Sequence, residues 1–210
     1  MIIIPAILEK DSMKALKLIS ELRTVSEWIQ IDFADETMTN SHTCDLYDFV
    51  GDIDGVAIEV HLMTTMPEEY LEACDAIGAK RVYFHLSEVE SPSYVLDAMN
   101  PYDFTKGIVL SPQTSVEDVF PYIDEIDAIQ VMTVIPGKQG GIFLPDMLDK
   151  VGYLRERRND LWIAVDGGIN TDTISMIDHD GTDAVGVGSF VTHAKNPIVQ
   201  YKLLQKNMIQ

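Results

Sequence analysis

Two aspartates, two histidines and a set of paired small residues are the positions in this 210-residue chain whose types suit chemistry, and each stands beside a short apolar run. Asp32 follows Trp28 to Ile31, Asp166 follows Trp162 to Val165, and His61 and His85 lie near the ends of Val56–Leu62 and Arg81–Leu86. A carboxylate held beside an acidic C–H bond acts as general base or, once protonated, as general acid. Asp32, His61 and Asp166 also offer an oxygen, nitrogen, oxygen set that suits zinc or another divalent ion. Gly140-Gly141, Gly167-Gly168 and Gly188-Ser189 let backbone N–H groups come close to an anion, so a phosphate needs no basic side chain there. Each feature has a plainer reading as well. A strand-end aspartate caps a following helix, a strand histidine is satisfied in the core, and paired glycines make tight turns.

Those residues need elements to position them, and the chain supplies a repeating pair. The strands read as Ile2–Ala6, Trp28–Asp32, Val56–Leu62, Arg81–Leu86, Lys106–Leu110, Ala128–Val134, Trp162–Val165 and Ala184–Val187. Between them, helices are expected at Ser12–Leu22, Leu46–Val50, Pro67–Ile77, Pro92–Met99, Ser115–Tyr122, Leu144–Arg158 and Thr171–His179, and a last one at Pro197–Met208. In the first of these Met13, Leu16, Leu18 and Ile19 are expected to share the apolar face. Strands rich in Val and Ile, without strict alternation and spaced by about 20 to 35 residues, are those of a parallel sheet covered on both faces. A (β/α)8 TIM barrel and an open doubly wound sheet share this local signature, and pairing of the first strand with the last separates them. In both, ligands sit beyond the carboxyl ends of the strands, where Asp32, His61, His85, Ser111, Asp166 and the glycines gather.

Bulk composition narrows the function. With 46% hydrophobic and 23% charged residues the chain reads as one globular domain over residues 1–210, short for a barrel and therefore tight in its loops. Acidic residues outnumber basic ones 34 to 15, and a net charge of −19 argues against nucleic acid or an anionic membrane as partner. Cys44 and Cys74 are isolated thiols, the start MIIIPAILEKD is no secretory leader, and no run approaches a membrane span, so a cytoplasmic protein is expected.

The chain resembles the ribulose-phosphate 3-epimerase family. The resemblance is carried in order by Pro5-Ala6-Ile7-Leu8, Ile29-Gln30-Ile31-Asp32-Phe33-Ala34-Asp35, Glu59-Val60-His61-Leu62-Met63 and Gly107-Ile108-Val109-Leu110-Ser111-Pro112. It continues with Val131-Met132-Thr133-Val134-Ile135-Pro136-Gly137, Val165-Asp166-Gly167-Gly168-Ile169-Asn170 and Gly186-Val187-Gly188-Ser189. What it implies is a TIM barrel in which Asp32 and Asp166 exchange a proton at C3 of a ketopentose 5-phosphate, around a divalent metal held by those aspartates and two histidines. His61 matches one histidine ligand; the other position falls on Gln30, whose neutral carbonyl oxygen is the weaker donor for such an ion. A homo-oligomer, most simply a dimer, is also implied.

Around that frame the chain departs from the family pattern. Glu9 stands where a serine is usual, Ala34 for a methionine, Ile135 for an asparagine, and Pro136-Gly137-Lys138-Gln139-Gly140-Gly141 for Pro-Gly-Phe-Gly-Gly-Gln. The expected phosphate cradle is Gly140, Gly141, Gly167, Gly168, Gly188 and Ser189, with Glu9 and His85 as further substrate contacts. Three functions fit these residues: the 3-epimerase of ribulose 5-phosphate, the same chemistry on another pentulose or hexulose phosphate, and a catalytically silent phosphosugar-binding protein.

Overall fold

In a computed structural model of the chain, residues 1–136, 140–177 and 181–208 are described. The eight strands are β1 (Ile2–Ile7), β2 (Trp28–Ala34), β3 (Ala57–Met63), β4 (Arg81–His85), β5 (Thr105–Leu110), β6 (Ala128–Met132), β7 (Trp162–Asp166) and β8 (Ala184–Val187). They form a closed parallel barrel in sequence order. Closure is made by β1 on β8, with Ile2, Ile3, Ile4 and Pro5 opposite Ala184, Val185, Gly186 and Val187. That pairing decides for the (β/α)8 TIM barrel against the open sheet.

The outward strand residues pack under the helices in one large core that includes Ile29, Ile31, Val60, Leu62, Val82, Ile108, Val131 and Val165. Burying one such side chain is worth about 1.5–3 kcal/mol, so the sheet and its cover are mutually dependent. Helix α1 (Ser12–Leu22) begins where the Asp11 carboxylate accepts from the N–H groups of Met13 and Lys14. It turns Ala15, Ile19 and Leu22 inward, whereas Met13 is 74% exposed, so the apolar face lies one step round from the expected one. The other α-helices are α2 (Leu71–Ala76), α3 (Pro92–Met99), α4 (Asp149–Arg157), α5 (Ser189–Thr192) and α6 (Pro197–Met208).

Several connecting helices are tighter or shorter than expected. The segments Leu46–Phe49 and Val116–Tyr122 are 3-10 helices, the second with Pro121 inside it, and Pro67–Tyr70 and Pro145–Leu148 are 3-10 turns leading into α2 and α4. A proline lacks the N–H that an α-helical ladder requires, which favours such short tight turns. Of the helix expected over Thr171–His179, the described residues form the 3-10 turn Ile174–Met176. Asp178 and His179 at its expected end, like Gly137, Lys138 and Gln139 of the glycine-rich loop, lie outside the described residues. Strand β6 stops at Met132, two residues before the expected Val134, because Thr133 bends to donate through N and Oγ1 to the Asp166 carbonyl. Among the described residues no helix is long and apolar enough to cross a membrane.

The barrel interior is unusually polar at its amino end. Arg81 bonds Glu59 at 2.7 Å, and its guanidinium lies 4.8 Å from the Trp28 ring and 4.3 Å from the Trp162 ring. Two tryptophans thus sandwich a buried cation beneath the active end. Burial pushes the Glu59 carboxyl up to about 7 against the pull of Arg81, with Asp166 and Asp32 adding to the rise.

Candidate active site

Period-2 alternation turns Gln30 and Asp32 of β2, Glu59 and His61 of β3, and Gln130 and Met132 of β6 to the inside, together with Asp166 at the end of β7. Asp32 and His61 are direct partners across β2 and β3, with His61 Nδ1 3.2 Å from Asp32 Oδ1 and 3.8 Å from Asp166 Oδ2. β2 and β7 are separated by β1 and β8, so the two aspartates meet across the lumen rather than along the sheet. The Gln30 amide stands between them, donating from Nε2 to Asp32 Oδ1 at 2.7 Å and to Asp166 Oδ2 at 3.0 Å. Gln130 brings a further donor to Asp166 Oδ2 at 2.9 Å.

Two carboxylates and an imidazole so close perturb one another. Burial raises the Asp166 carboxyl, the Asp32 charge adds to this, and His61 and the Gln30 bond oppose it. Burial alone would depress His61, but the Asp32 hydrogen bond and the charges of Asp32, Asp166 and Glu59 outweigh it and hold the imidazole above its ordinary value. Asp166 and His61 therefore each hold a proton more tightly than the isolated side chains would.

His85 does not reach the cavity as a substrate contact. It is fully buried behind His61, with Nε2 2.8 Å from His61 Nε2 and Nδ1 3.0 Å from Ser111 Oγ. Burial and the neighbouring His61 keep it well below the ordinary imidazole value, hence neutral. With His61 neutral the hydrogen bonds run from Ser111 O–H to His85 to His61 to Asp32; a protonated His61 instead donates both to Asp32 and to His85, which then donates to Ser111 Oγ. Glu9 is not among the residues that line the cavity above the acids, although its neighbour Leu8 is, and the Glu9 carbonyl accepts from the Cys44 N–H.

Above the acids lies a cavity of about 300 Å³, lined by Asp32, His61 and Asp166 and by all six residues expected to cradle phosphate. Glycine is demanded at several of these by space or backbone. Gly167 (φ 111°) and Gly141 close on Val134, where an added Cβ would stand 2.4 Å and 2.9 Å from its side-chain atoms, and a Cβ on Gly168 (φ 70°) would stand 3.0 Å from Phe143. Thr133 Oγ1 holds the Gly167 carbonyl and Thr173 Oγ1 the Gly168 carbonyl, which sets the turn. Gly167-Gly168 does not lead directly into a helix, whereas Gly188 does, as the residue before α5.

Asp32, His61 and Asp166 place one donor atom each within 4.8 Å of one another, a spacing that fits a divalent cation. Gln30 joins them through its amide nitrogen, a hydrogen-bond donor, so it acts as a ligand only with the amide turned to present oxygen. Gln130 and Glu59 were not singled out from sequence. The signal for Gln130 was a polar residue at an inward position of an otherwise apolar strand, Ala128-Ile129-Gln130-Val131-Met132.

Comparison with known proteins bears on the family rather than on single residues. A relative from Schizosaccharomyces pombe named ribulose-phosphate 3-epimerase is 28% identical over 207 residues, 93% of this chain and 88% of that one. One of the same name from Synechocystis is 30% identical over 207 residues, 93% and 89% of the two chains. In fold the chain is similar to a 3-hexulose-6-phosphate synthase, with a TM-score of 0.74 at 15% identity over 99% of this chain and 100% of that one. It is likewise similar to KGPDC from Streptococcus mutans in complex with D-R5P, with a TM-score of 0.73 at 14% identity over 99% and 96%. The model of the ribulose-phosphate 3 epimerase family matches residues 2–192, and on that match the chain belongs to this family of sugar-phosphate epimerases, isomerases by class.

Proposed function

We propose that the protein interconverts ribulose 5-phosphate and xylulose 5-phosphate by moving a proton at C3 between Asp32 and Asp166. The observation that carries this reading is the pair itself: two carboxylates from opposite walls of the barrel, bridged by one amide, under a glycine-lined cavity. A binding protein has no need of acids on both faces of its ligand.

In the reaction Asp32 takes the C3 proton as a carboxylate, the C3–H electron pair moves into the C2–C3 bond, and the C2 carbonyl oxygen gains the negative charge. Asp166, whose raised proton affinity lets it start as the acid, returns a proton to C3 from the other face and leaves as carboxylate. The reverse reaction exchanges the roles. Asp32, His61 and Asp166 would hold a divalent metal, with zinc our choice, and when bound it supplies positive charge beside the enediolate oxygens. The 5-phosphate sits against the backbone of Gly140, Gly141, Gly167, Gly168, Gly188 and Ser189.

The test is hydrogen exchange and product analysis in heavy water over a panel of pentulose and hexulose phosphates. Deuterium at C3 of ribulose 5-phosphate with formation of xylulose 5-phosphate is the expected result. Exchange confined to another ketose phosphate would reassign the substrate, and tight phosphosugar binding with no exchange in any sugar would replace the epimerase by a binding protein.

A further inference from the structure

Gln130 has no part in the proton exchange, yet its placement is costly. It is completely buried at the centre of β6, and its Oε1 has no hydrogen-bond partner. An unpartnered buried acceptor is destabilising. For packing alone methionine or leucine would be the better occupant, so what the amide adds must lie in its donor. That donor goes to Asp166 Oδ2 at 2.9 Å, and the same nitrogen lies 3.4 Å from His61 Nδ1 and 3.7 Å from Met132 Sδ.

The same carboxylate oxygen also receives Gln30 Nε2, from β2, at 3.0 Å. On the carboxylate's other flank β8 passes so close that a Cβ on Gly186 would stand 2.8 Å from Asp166 Cγ and Oδ1. Two N–H donors on one oxygen and a wall against the other leave the carboxylate plane little freedom. We propose that Gln130 is a positioning residue which, paired with Gln30, holds the Asp166 carboxylate in one orientation. The hydrogen-bonded clamp stands on the geometry alone; its kinetic consequence rests on the epimerase reading above.

Two measurements on the full chain test it. In the first, the side-chain amide proton resonances of Gln30 and Gln130 are compared between the unaltered protein and the isosteric Asp166→Asn variant. Both sets should move, because both amides lose the same charged acceptor, and Gln130 resonances that stay in place would overturn the clamp. In the second, C3 exchange and thermal midpoint are measured for Gln130→Met and Gln130→Leu. The expected result is kcat lower by about 10- to 100-fold with KM within about twofold, as for a misoriented general acid. The midpoint should be unchanged or higher, because the orphan acceptor is gone. A kcat within about twofold of the unaltered protein in both variants would reduce Gln130 to a filler and sink the positioning role. If the unaltered protein exchanges no ketose phosphate at all, the epimerase reading falls, and the amide resonances still decide the clamp.

Discussion

Gly186 and Asp166 are fitted to each other: on adjacent strands, opposite in register, they leave no room for a Cβ at position 186, which would lie 2.8 Å from the Asp166 carboxylate. Gly186 is not in the left-handed region, so space rather than backbone conformation demands the glycine. Gly186→Ala should therefore push the Asp166 side chain aside, with a stability loss of about 1–3 kcal/mol from overpacking. Activity should fall further, by on the order of 100-fold, because small misplacements of a reacting group are costly. C3 exchange and a denaturant titration on the same sample check this, and normal exchange would show that Asp166 tolerates the displacement.

Gly188 is the clean probe of phosphate binding. A Cβ there meets only the Ala6 carbonyl oxygen at 3.8 Å, whereas substitution at Gly167 or Gly168 would strain the backbone and collide with Val134 or Phe143. Gly188→Ala should fold and bind normally. Gly188→Leu should keep its thermal midpoint within a few degrees yet weaken every phosphorylated sugar, inorganic phosphate included, by about tenfold or more as the side chain intrudes on the anion. Calorimetric titration with inorganic phosphate gives the answer, and unaltered affinity would move the phosphate elsewhere.

Metal affinity should depend on His61 most of all, since it is the nitrogen donor in the cluster. His61→Ala should nearly abolish binding of zinc, and Gln30→His should tighten it by exchanging an amide for an imidazole. The imidazole of His61 is held above its ordinary proton affinity by Asp32 and its neighbours despite burial, so protons compete with the ion from a higher pH than for a free histidine. Affinity should thus begin to fall at a higher pH than a free histidine ligand would require. Zinc titrations at three pH values, and C3 exchange before and after chelation and metal return, check both statements. Exchange retained in verified metal-free protein would remove the ion from the mechanism.

Stability of the chelated protein should fall as pH rises between about 5 and about 7.5. Glu59 ordinarily loses its proton near 4.5 but in the fold holds it to about 7, chiefly because it is buried. The folded state binds that proton more tightly, so the contribution is complete below the unfolded value and is lost as pH rises through the folded one. Asp166 and His61 are shifted in the same sense. For Glu59 the swing is on the order of 3 kcal/mol. Glu59→Gln, neutral throughout, should flatten part of the slope of thermal midpoint against pH. Arg81→Met removes the pull that lowers the Glu59 proton affinity, so Glu59 should keep its proton to a higher pH, and the variant should lose more stability near pH 8, where it gives up the Glu59–Arg81 ion pair, than at pH 5.

The strand and helix alternation, and so the barrel's walls, were legible in the sequence, because apolar runs of four to seven residues between charged helical stretches report burial on both faces. So were Asp32, His61, Asp166 and the glycines, as strand-end residues of reactive or permissive type. Met13 was placed on the wrong face of its helix and the segments around Pro121 and Ile174 were read as fuller helices, because several apolar stripes fit one short segment and packing alone chooses among them. What only the tertiary structure decided is set by contacts between residues far apart in the chain. Closure of β1 on β8 joins strands some 180 residues apart, and the meeting of Gln30 with Asp166 spans 136 positions. Sequence spacing carries local periodicity but no record of which distant walls face one another. For that reason the burial of His85 against His61, the absence of Glu9 from the cavity lining, and the amides of Gln30 and Gln130 as donors to one carboxylate became visible only once the barrel was closed.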